Sequence, residues 1–417
     1  MNILYYHQHF STPDGSTGTR SYEMASRLIE RGHKVTIVCG SYGDGKTGLT
    51  GKFKHGKRCG DVDGIHVIEF LLPYSNKDKF IKRSITFLRF ALKSIGIVLI
   101  KNYDLIFATS TPLTTGLPGI AAKWLRNKPF VFEVRDLWPE LPREMGVIKN
   151  SAVLKALDLL EWLSYHSADA CIGLSPGIVK GIKKRGIHAD KITMIPNGCD
   201  LDLFNAENES DCSSNNKDSL TAVFTGAHGI ANGLDAVLDA AKVLIKRGRT
   251  NIQLIFIGDG KLKQDLKKRA EQEYLENCIF MDPVPKKQLA KLIKKIDVGL
   301  MILANVPAFY YGTSPNKFFD YISTGLPVLN NYPGWLADMI NEYKCGLAVP
   351  PENPAAFADA LEYFADNRDK LKKMGENACV LAEKKFNRKM LANQFVDWLE
   401  NVFKVGTPMC APEWGSH

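Results

Sequence analysis

Residues 313–328 read TSPNKFFDYISTGLPV, a pattern that asks for a bound anion. Ser314 is a good helix N-cap, Pro315 suits the first helical position, and Gly325 followed by Pro327 closes the helix. The first turn of such a helix offers unpaired N–H groups at the positive end of its macrodipole, and Lys317 adds a full charge beside Asn316. A phosphate fits there. Asp320, three residues on, shares the face of Lys317 and is placed to bond ribose hydroxyls. A capped helix with a surface Lys–Asp pair would carry the same residues, so the neighbouring motifs have to decide.

A second strand-to-helix stretch, TGAHGIANGLDAVLDAA, spaces Gly226, Gly229 and Gly233 so that backbone amides can approach a diphosphate. Gly258-Asp259-Gly260 follows another strand and is expected to line the same edge. Earlier in the chain, GSTGTR places Gly18, Thr19 and Arg20 at an equivalent turn, with Arg20 open to a phosphate or an acceptor. His7 and His9 end the first strand, and His9 is a candidate for the same edge. After the apolar run 130–134 comes EVRDLWPE, where Glu133, Arg135, Asp136 and Glu140 form a plausible catalytic rim or, alternatively, a buried ion pair organising a loop. Asp200 and Asp202 have the spacing of a metal-bridging pair but follow Pro196-Asn197-Gly198, a turn context, so no metal is assigned. There is no P-loop, G-x-S-x-G or H-E-x-x-H motif.

These motifs need α/β elements to hold them. Apolar strands at 2–6, 34–39, 65–70, 105–109, 130–134, 170–174 and 192–195 alternate with helical patterns at 21–31, 80–100, 115–126, 152–167 and 176–185. Residues 40–64, rich in glycine and lysine, are expected to be a long loop. A second set follows, with strands at 220–225, 253–257, 278–281, 297–301, 328–330 and 347–349 and helices at 234–247, 261–274, 286–295, 315–324, 335–342 and 354–364. Helices at 367–385 and 388–404 close the chain. The expected fold is two doubly wound, Rossmann-like α/β domains facing a cleft. Their expected limits are 1–198 for the acceptor-binding domain, 199–218 for a polar linker and 219–385 for the nucleotide-binding domain. The 386–404 helix is expected to return toward the first domain, ahead of a tail at 405–417.

The 417 residues suit two domains, and the net charge of +9 points to anionic partners. Zinc-finger spacing and ribonucleoprotein aromatics are missing, which argues against nucleic acid. Nine scattered cysteines read as reduced thiols. Met1 leads directly into a strand, so no signal peptide is expected and the chain is placed in the cytoplasm. Residues 85–100 are too short and too interrupted by Arg89 and Lys93 to span a bilayer. With Lys77, Lys79, Lys82, Arg83 and Lys101 around them, they resemble a helix lying on an anionic membrane, Phe80, Phe87 and Phe90 inserting. A crossover helix packed on a sheet is the other reading.

The order of features resembles the family 4 glycosyltransferases of the two-domain GT-B fold. The resemblance rests on GTR at 18–20, IPNGCDLDLF at 195–204, the FTGAHGIANGLDAVLDAA loop, IGDG at 257–260 and SPNKFFDYISTGLPV, and so covers almost the whole chain. RDLWPE and S-P-x-K are similar to a bacterial branch typified by N-acetylfucosamine transferases of O-antigen and capsule assembly. The resemblance implies a retaining, metal-free transfer of an N-acetylated amino or deoxyamino hexose from a UDP-sugar, with no cofactor. The implied acceptor is an undecaprenyl-diphosphate-linked saccharide at the inner face of the cytoplasmic membrane. By position, Asp320 matches the ribose-binding second glutamate of an E-x7-E motif, and Gly312 stands at the first. Ala227 and Asn232 stand where many members have a diphosphate-binding arginine and lysine, which leaves Lys317, the glycine-loop amides and Arg20 to meet the charge. Arg135 replaces a histidine common in the family, so Asp136, then Glu140, is expected to position the acceptor. A sugar-nucleotide epimerase of the same architecture and a non-catalytic nucleotide-sugar-binding subunit are the other functions open to such a chain.

Overall fold

The computed structural model describes residues 1–15, 17–42, 45–75, 78, 80–202 and 219–405, with Phe80 described by its backbone alone. Most of the linker and tail expected at 199–218 and 405–417, and Lys77 and Lys79 of the basic region, lie outside the described residues. The chain divides into two units, one built from 1–196, 312–314 and the described residues from 389, the other from 197–311 and 315–388.

In the first unit, β1 (Asn2–Tyr6), β2 (Lys34–Tyr42), β3 (Lys57–Val62), β4 (Ile65–Tyr74), β5 (Leu105–Thr109), β6 (Phe130–Val134), β7 (Ala170–Gly173) and β8 (Ile192–Met194) form one sheet. Its order is β3-β4-β2-β1-β5-β6-β7-β8. Strands such as LIFAT and FVFEV are buried along their whole length, as central parallel strands covered on both faces must be. The strand order reverses between β1 and β5, so the chain leaves the sheet in opposite directions there and opens a crevice beyond the carboxyl ends.

The expectation of a loop at 40–64 fails at β3, which pairs antiparallel with β4. The hairpin turns on Asp63 (φ 50°) and Gly64 (φ 81°), a dipeptide suited to two left-handed residues in succession. Its half-exposed KRCGDV strand lacks the apolar signature of its neighbours.

The helix Arg388–Val405 supplies Leu391, Phe395, Leu399 and Val402 to the same core cluster as Ile3, Tyr5, Ile37 and Phe107. Phe395 meets Phe107 edge-on at 4.9 Å.

Beneath the β1/β5 reversal lies a buried ion pair. Arg20 opens the helix Arg20–Glu30 and donates from Nη2 to Glu133 Oε2 at 2.7 Å, both side chains being 1% exposed or less. Nη1 and Nη2 also bond the carbonyls of Pro196 (2.6 Å) and Ile195 (2.8 Å), while Thr109 Oγ1 donates to Glu133 Oε1 at 2.8 Å. Burial alone would push the Glu133 carboxyl up, but the Arg20 guanidinium outweighs it and the group ends below its ordinary range.

The second unit holds β9 (Leu220–Thr225), β10 (Ile252–Ile257), β11 (Cys278–Met281), β12 (Val298–Met301), β13 (Val328–Asn330) and β14 (Gly346–Ala348), all parallel, in the order β11-β10-β9-β12-β13-β14. The reversal falls between β9 and β12. Leu234, Val237, Leu238, Ala241 and Leu244 pack the helix Asp235–Lys246 onto this sheet.

Replacing Arg20 by methionine strands an unpaired carboxylate in the core and is expected to cost about 3–5 kcal/mol of unfolding free energy. Urea denaturation measures it, and adding Glu133→Gln should recover part of the loss.

Candidate functional site

At the β9/β12 reversal two turns meet. The glycine loop leaves β9, its Gly226 and Gly233 having positive φ (127° and 54°). A Cβ on Gly233 would lie 2.8 Å from Ala304 Cα, so only glycine lets the loop close against the segment after β12. Gly226 N donates to Ile257 O and His228 N to Asp259 O, which stitches this loop to the GDG turn after β10. At the crossing the backbones nearly touch: a Cβ on Gly258 would sit 1.9 Å from Gly226 O, and one on Gly260 2.5 Å from His228 O. Gly229 has open space around it. His228 is fully buried, its ring amid Phe224, Phe256 and Phe280 with neither nitrogen hydrogen-bonded. Burial drives its pKa down to about 4, so it is a neutral filler beneath the loop.

The helix Asn316–Ser323 brings the second turn. Pro315, not Ser314, is its N-cap, entered in the extended geometry usual for that position, and proline has no side-chain acceptor to make a cap bond. The amides of Asn316 and Lys317 thus begin the helix without a side-chain partner at the cap. Lys317 reaches back to the glycine loop: Nζ donates to Asn232 Oδ1 at 2.9 Å and lies 3.9 Å from the centre of the Phe224 ring. Burial lowers its pKa to about 7. Tyr321 fastens the helix underneath, accepting from Thr225 N at 2.9 Å and lying 3.2 Å from Val223 O.

Asp320 does not share a face with Lys317. Its carboxylate is buried and faces Lys286 at 3.4 Å, and Lys286 also pairs with Asp200, which pairs with Arg388. Burial raises the Asp320 pKa despite Lys286. Asp320, expected at the ribose, thus stands in a buried ion cluster, and Lys317 and Asp320 turn to different partners. Asp200 belongs to that cluster, with its pKa lowered because Arg388 and Lys286 outweigh burial.

In the first unit, the ends of β1, β5 and β6 assemble His7, Thr111, Arg135 and Asp136. Arg135 Nη1 donates to His7 Nε2 at 3.2 Å, which requires a neutral His7. Burial, then Arg135, holds the His7 pKa well down. Arg135 N is held by Ser110 Oγ at 2.8 Å. Asp136 Oδ2 accepts from Thr111 Oγ1 at 3.1 Å, and Thr111 has φ 92°, a conformation that non-glycine residues adopt at a cost. Burial pushes the Asp136 carboxyl up, partly offset by Arg135 and Thr111. Glu140 opens the short helix Glu140–Glu144 just beyond. His9 packs among Tyr42, Tyr74 and Phe87 in edge-on and tilted contacts, with its pKa at about 3 from burial.

Arg20, expected to face a phosphate or an acceptor, is instead buried under the sheet end with its guanidinium committed to Glu133 and the carbonyls of Ile195 and Pro196. Beside it, Thr19 is buried and Gly18 only leads into the helix. The buried-pair alternative for EVRDLWPE holds for Glu133, while Arg135 and Asp136 remain at the rim. Among the described residues no group of three or more His, Cys, Asp or Glu could hold a metal ion.

Comparison with known proteins decides the family. Residues 17–203 match the Glycosyltransferase Family 4 model and residues 205–379 match Glycosyl transferases group 1. The chain belongs to the group 1/family 4 glycosyltransferases. Among relatives, it is 21% identical over 264 residues to O-antigen chain mannosyltransferase C of Escherichia coli, covering 62% of this chain and 66% of that one. It is 23% identical to D-rhamnosyltransferase WbpZ of Pseudomonas aeruginosa, covering 56% and 59%. The matches thus span less than two thirds of these relatives. The GT-B fold is shared with sucrose-phosphate synthase from Thermosynechococcus elongatus (TM-score 0.74, 16% identity, 96% and 99% of the two chains). Anabaena HepE, solved with UDP, gives TM-score 0.69 at 18% identity over 96% and 100%.

Within this glycosyltransferase family frame, the residues that sequence reasoning missed are partners of expected ones. Asn232 and Tyr321 place Lys317, and Thr111 and His7 place Asp136 and Arg135. Asn232 had a signal, a polar residue at a position where the resemblance led to the expectation of a base. The crowded glycines give a paired test: Gly258→Ala should cost about 1–3 kcal/mol by overpacking, while Gly229→Ala should stay within about 0.5 kcal/mol of wild type. Thermal unfolding of the two variants reads the difference.

Proposed function

We propose that this chain is a retaining glycosyltransferase that moves an N-acetylated amino or deoxyamino hexose from a UDP-sugar to an undecaprenyl-diphosphate-linked saccharide in bacterial surface-polysaccharide assembly. The observation that carries the donor half is the Lys317 ammonium held on the glycine loop at the β9/β12 reversal, beside the amides that begin its helix. HepE, which shares the fold, is described in complex with UDP and with UDP-glucose. The O-antigen relative supports the acceptor class.

In this reading the nucleotide diphosphate departs from the anomeric carbon and the charge growing on its β-phosphate is met by Lys317 and the helix amides. The acceptor hydroxyl attacks from the same face and passes its proton to the departing phosphate, so no strong protein base is needed. Lys317 supplies the cation, and the reading calls for no metal. Asp136, oriented by Thr111, positions the acceptor hydroxyl, with Arg135 and Glu140 beside it.

A lipid-linked acceptor calls for a cytoplasmic enzyme that docks on the membrane. Among the described residues no helix is long and apolar enough to cross one. The helix Phe80–Ile100 nevertheless exposes Ile81, Ile85, Leu88 and Leu92 along one stripe, flanked by Lys82, Arg89 and Lys93. The inserting residues are these aliphatics and not Phe87 or Phe90, since Phe90 is buried against Phe70 and Phe87 stacks on Tyr74; the Phe80 side chain lies outside the described residues.

A thermal-shift panel of UDP-, GDP- and dTDP-sugars tests the donor. UDP-sugars should stabilise by about 2.7 kcal/mol at a hundredfold excess over Kd, and stabilisation by another nucleotide alone would sink the UDP assignment. Lys317→Met should weaken donor binding by roughly 10–100-fold. Asp136→Asn should leave it intact while lowering kcat/KM about 10²-fold. Docking is read by flotation: wild type should bind anionic liposomes at low salt and Leu88→Ser/Leu92→Ser should not, and equal recovery of both proteins refutes the stripe.

A further inference from the structure

Lys317 sits among neutral partners. Its Nζ meets the amide oxygen of Asn232 and the face of Phe224, and a Cβ on Gly226 would lie 3.5 Å from its Cε. Asn232 is itself fixed, because its Nδ2 donates to Ala227 O at 2.8 Å across the same loop. With Nδ2 engaged, Oδ1 is the end turned to the lysine, so one amide ties the loop backbone to a cation from another helix.

We propose that Asn232 is a positioning residue for donor binding, drawing the Lys317 ammonium onto the 226–233 loop, where it can meet a diphosphate held by the loop amides. This rests on the donor reading given above. The chemistry of position 232 follows. A lysine there would repel Lys317, and a carboxylate would hold the ammonium but cancel the charge a diphosphate needs. A neutral acceptor fixes the ammonium's position and leaves its charge for the ligand.

The same arrangement makes the cation titratable. The ionisable groups near Lys317 are His228, neutral under the loop, Lys263 and Asp259 around His228, and Asp320 on its own helix, which faces Lys286. Strands β12 and β13, packed on the helix, carry no ionisable side chain, and the helix Arg368–Lys385 approaches at the far end, where a Cβ on Gly325 would meet Cys379 Sγ at 2.9 Å. None of these neutralises Lys317, whose pKa is about 7 through burial. A bound diphosphate favours the charged form and raises that pKa. Donor affinity is therefore level below the free-state pKa and falls as pH rises above it, about tenfold per unit until the bound-state pKa is reached. A nucleotide sugar's diphosphate keeps its charge across neutral pH, so the response belongs to the protein.

Titration calorimetry with UDP-N-acetylglucosamine from pH 6 to pH 9, in buffers of different ionisation enthalpy, tests this. Wild type should take up about one proton per donor bound above the inflection and none well below it. Asn232→Leu should bind about tenfold more weakly and lose or displace the inflection, since the ammonium is no longer held on the loop. Asn232→Asp should move the inflection to higher pH and weaken binding throughout, and Asn232→Gln should restore part of both. Thermal unfolding of each variant without ligand verifies folding. An Asn232→Leu protein with wild-type affinity and pH profile overturns the inference alone. A folded wild type that binds no UDP-N-acetylglucosamine at any pH overturns the donor reading beneath it.

Discussion

Four charges with little solvent contact govern the second unit. Asp200, Asp320, Lys286 and Arg388 have side-chain exposures of 8–11%, and their charges balance two against two. Taking ions out of water costs several kcal/mol each, so the arrangement persists only with all partners in place. Its effect on the site is orientational. Once Asp320 must face Lys286, the helix Asn316–Ser323 cannot turn about its axis, Tyr321 is directed under β9, and Lys317 is left on the side of the glycine loop. The cation's placement thus depends on a carboxylate on the same helix that faces a different partner.

The first unit uses a related device. Arg20 and Glu133 neutralise each other under the β1/β5 reversal, and the groups above them stay incompletely paired: a neutral His7, an Arg135 bonded to it, and an Asp136 whose carboxyl is pushed up by burial. In both units a closed ion pair or cluster forms the floor of a switch point, and the residues with spare bonding capacity lie at its rim.

The fold was legible because central parallel strands are apolar along their length and helices between them carry clear periodicity, so nearly every element from β5 to the helix Arg388–Val405 is readable. What escaped was β3, an edge strand rich in lysine and glycine, although Asp63-Gly64 marked its turn. The glycine loop and Lys317 were legible as an anion site because backbone conformation and helix ends leave signatures in residue type. Pairings were not. Nothing local to Arg20 says that its partner is Glu133, more than a hundred residues away, and nothing near Asp320 names Lys286. Whether a charged residue is floor or rim depends on contacts that spacing does not encode.

The last helix carries a consequence for how the chain comes into being. Leu391, Phe395, Leu399 and Val402 fill the same cluster as Ile3 and Tyr5, and the chain segments near 199 and 387 are bonded to one another, Cys199 N to Phe386 O at 2.7 Å and Arg388 N to Cys199 O at 3.1 Å. During synthesis, the first unit's sheet therefore emerges before the helix Arg388–Val405 and lacks one wall of its interior until that helix has left the ribosome. The second unit also needs Arg388, the first residue of that helix, for its charge cluster. Both units thus close on the same late segment, and the nascent first sheet must wait with an apolar face uncovered.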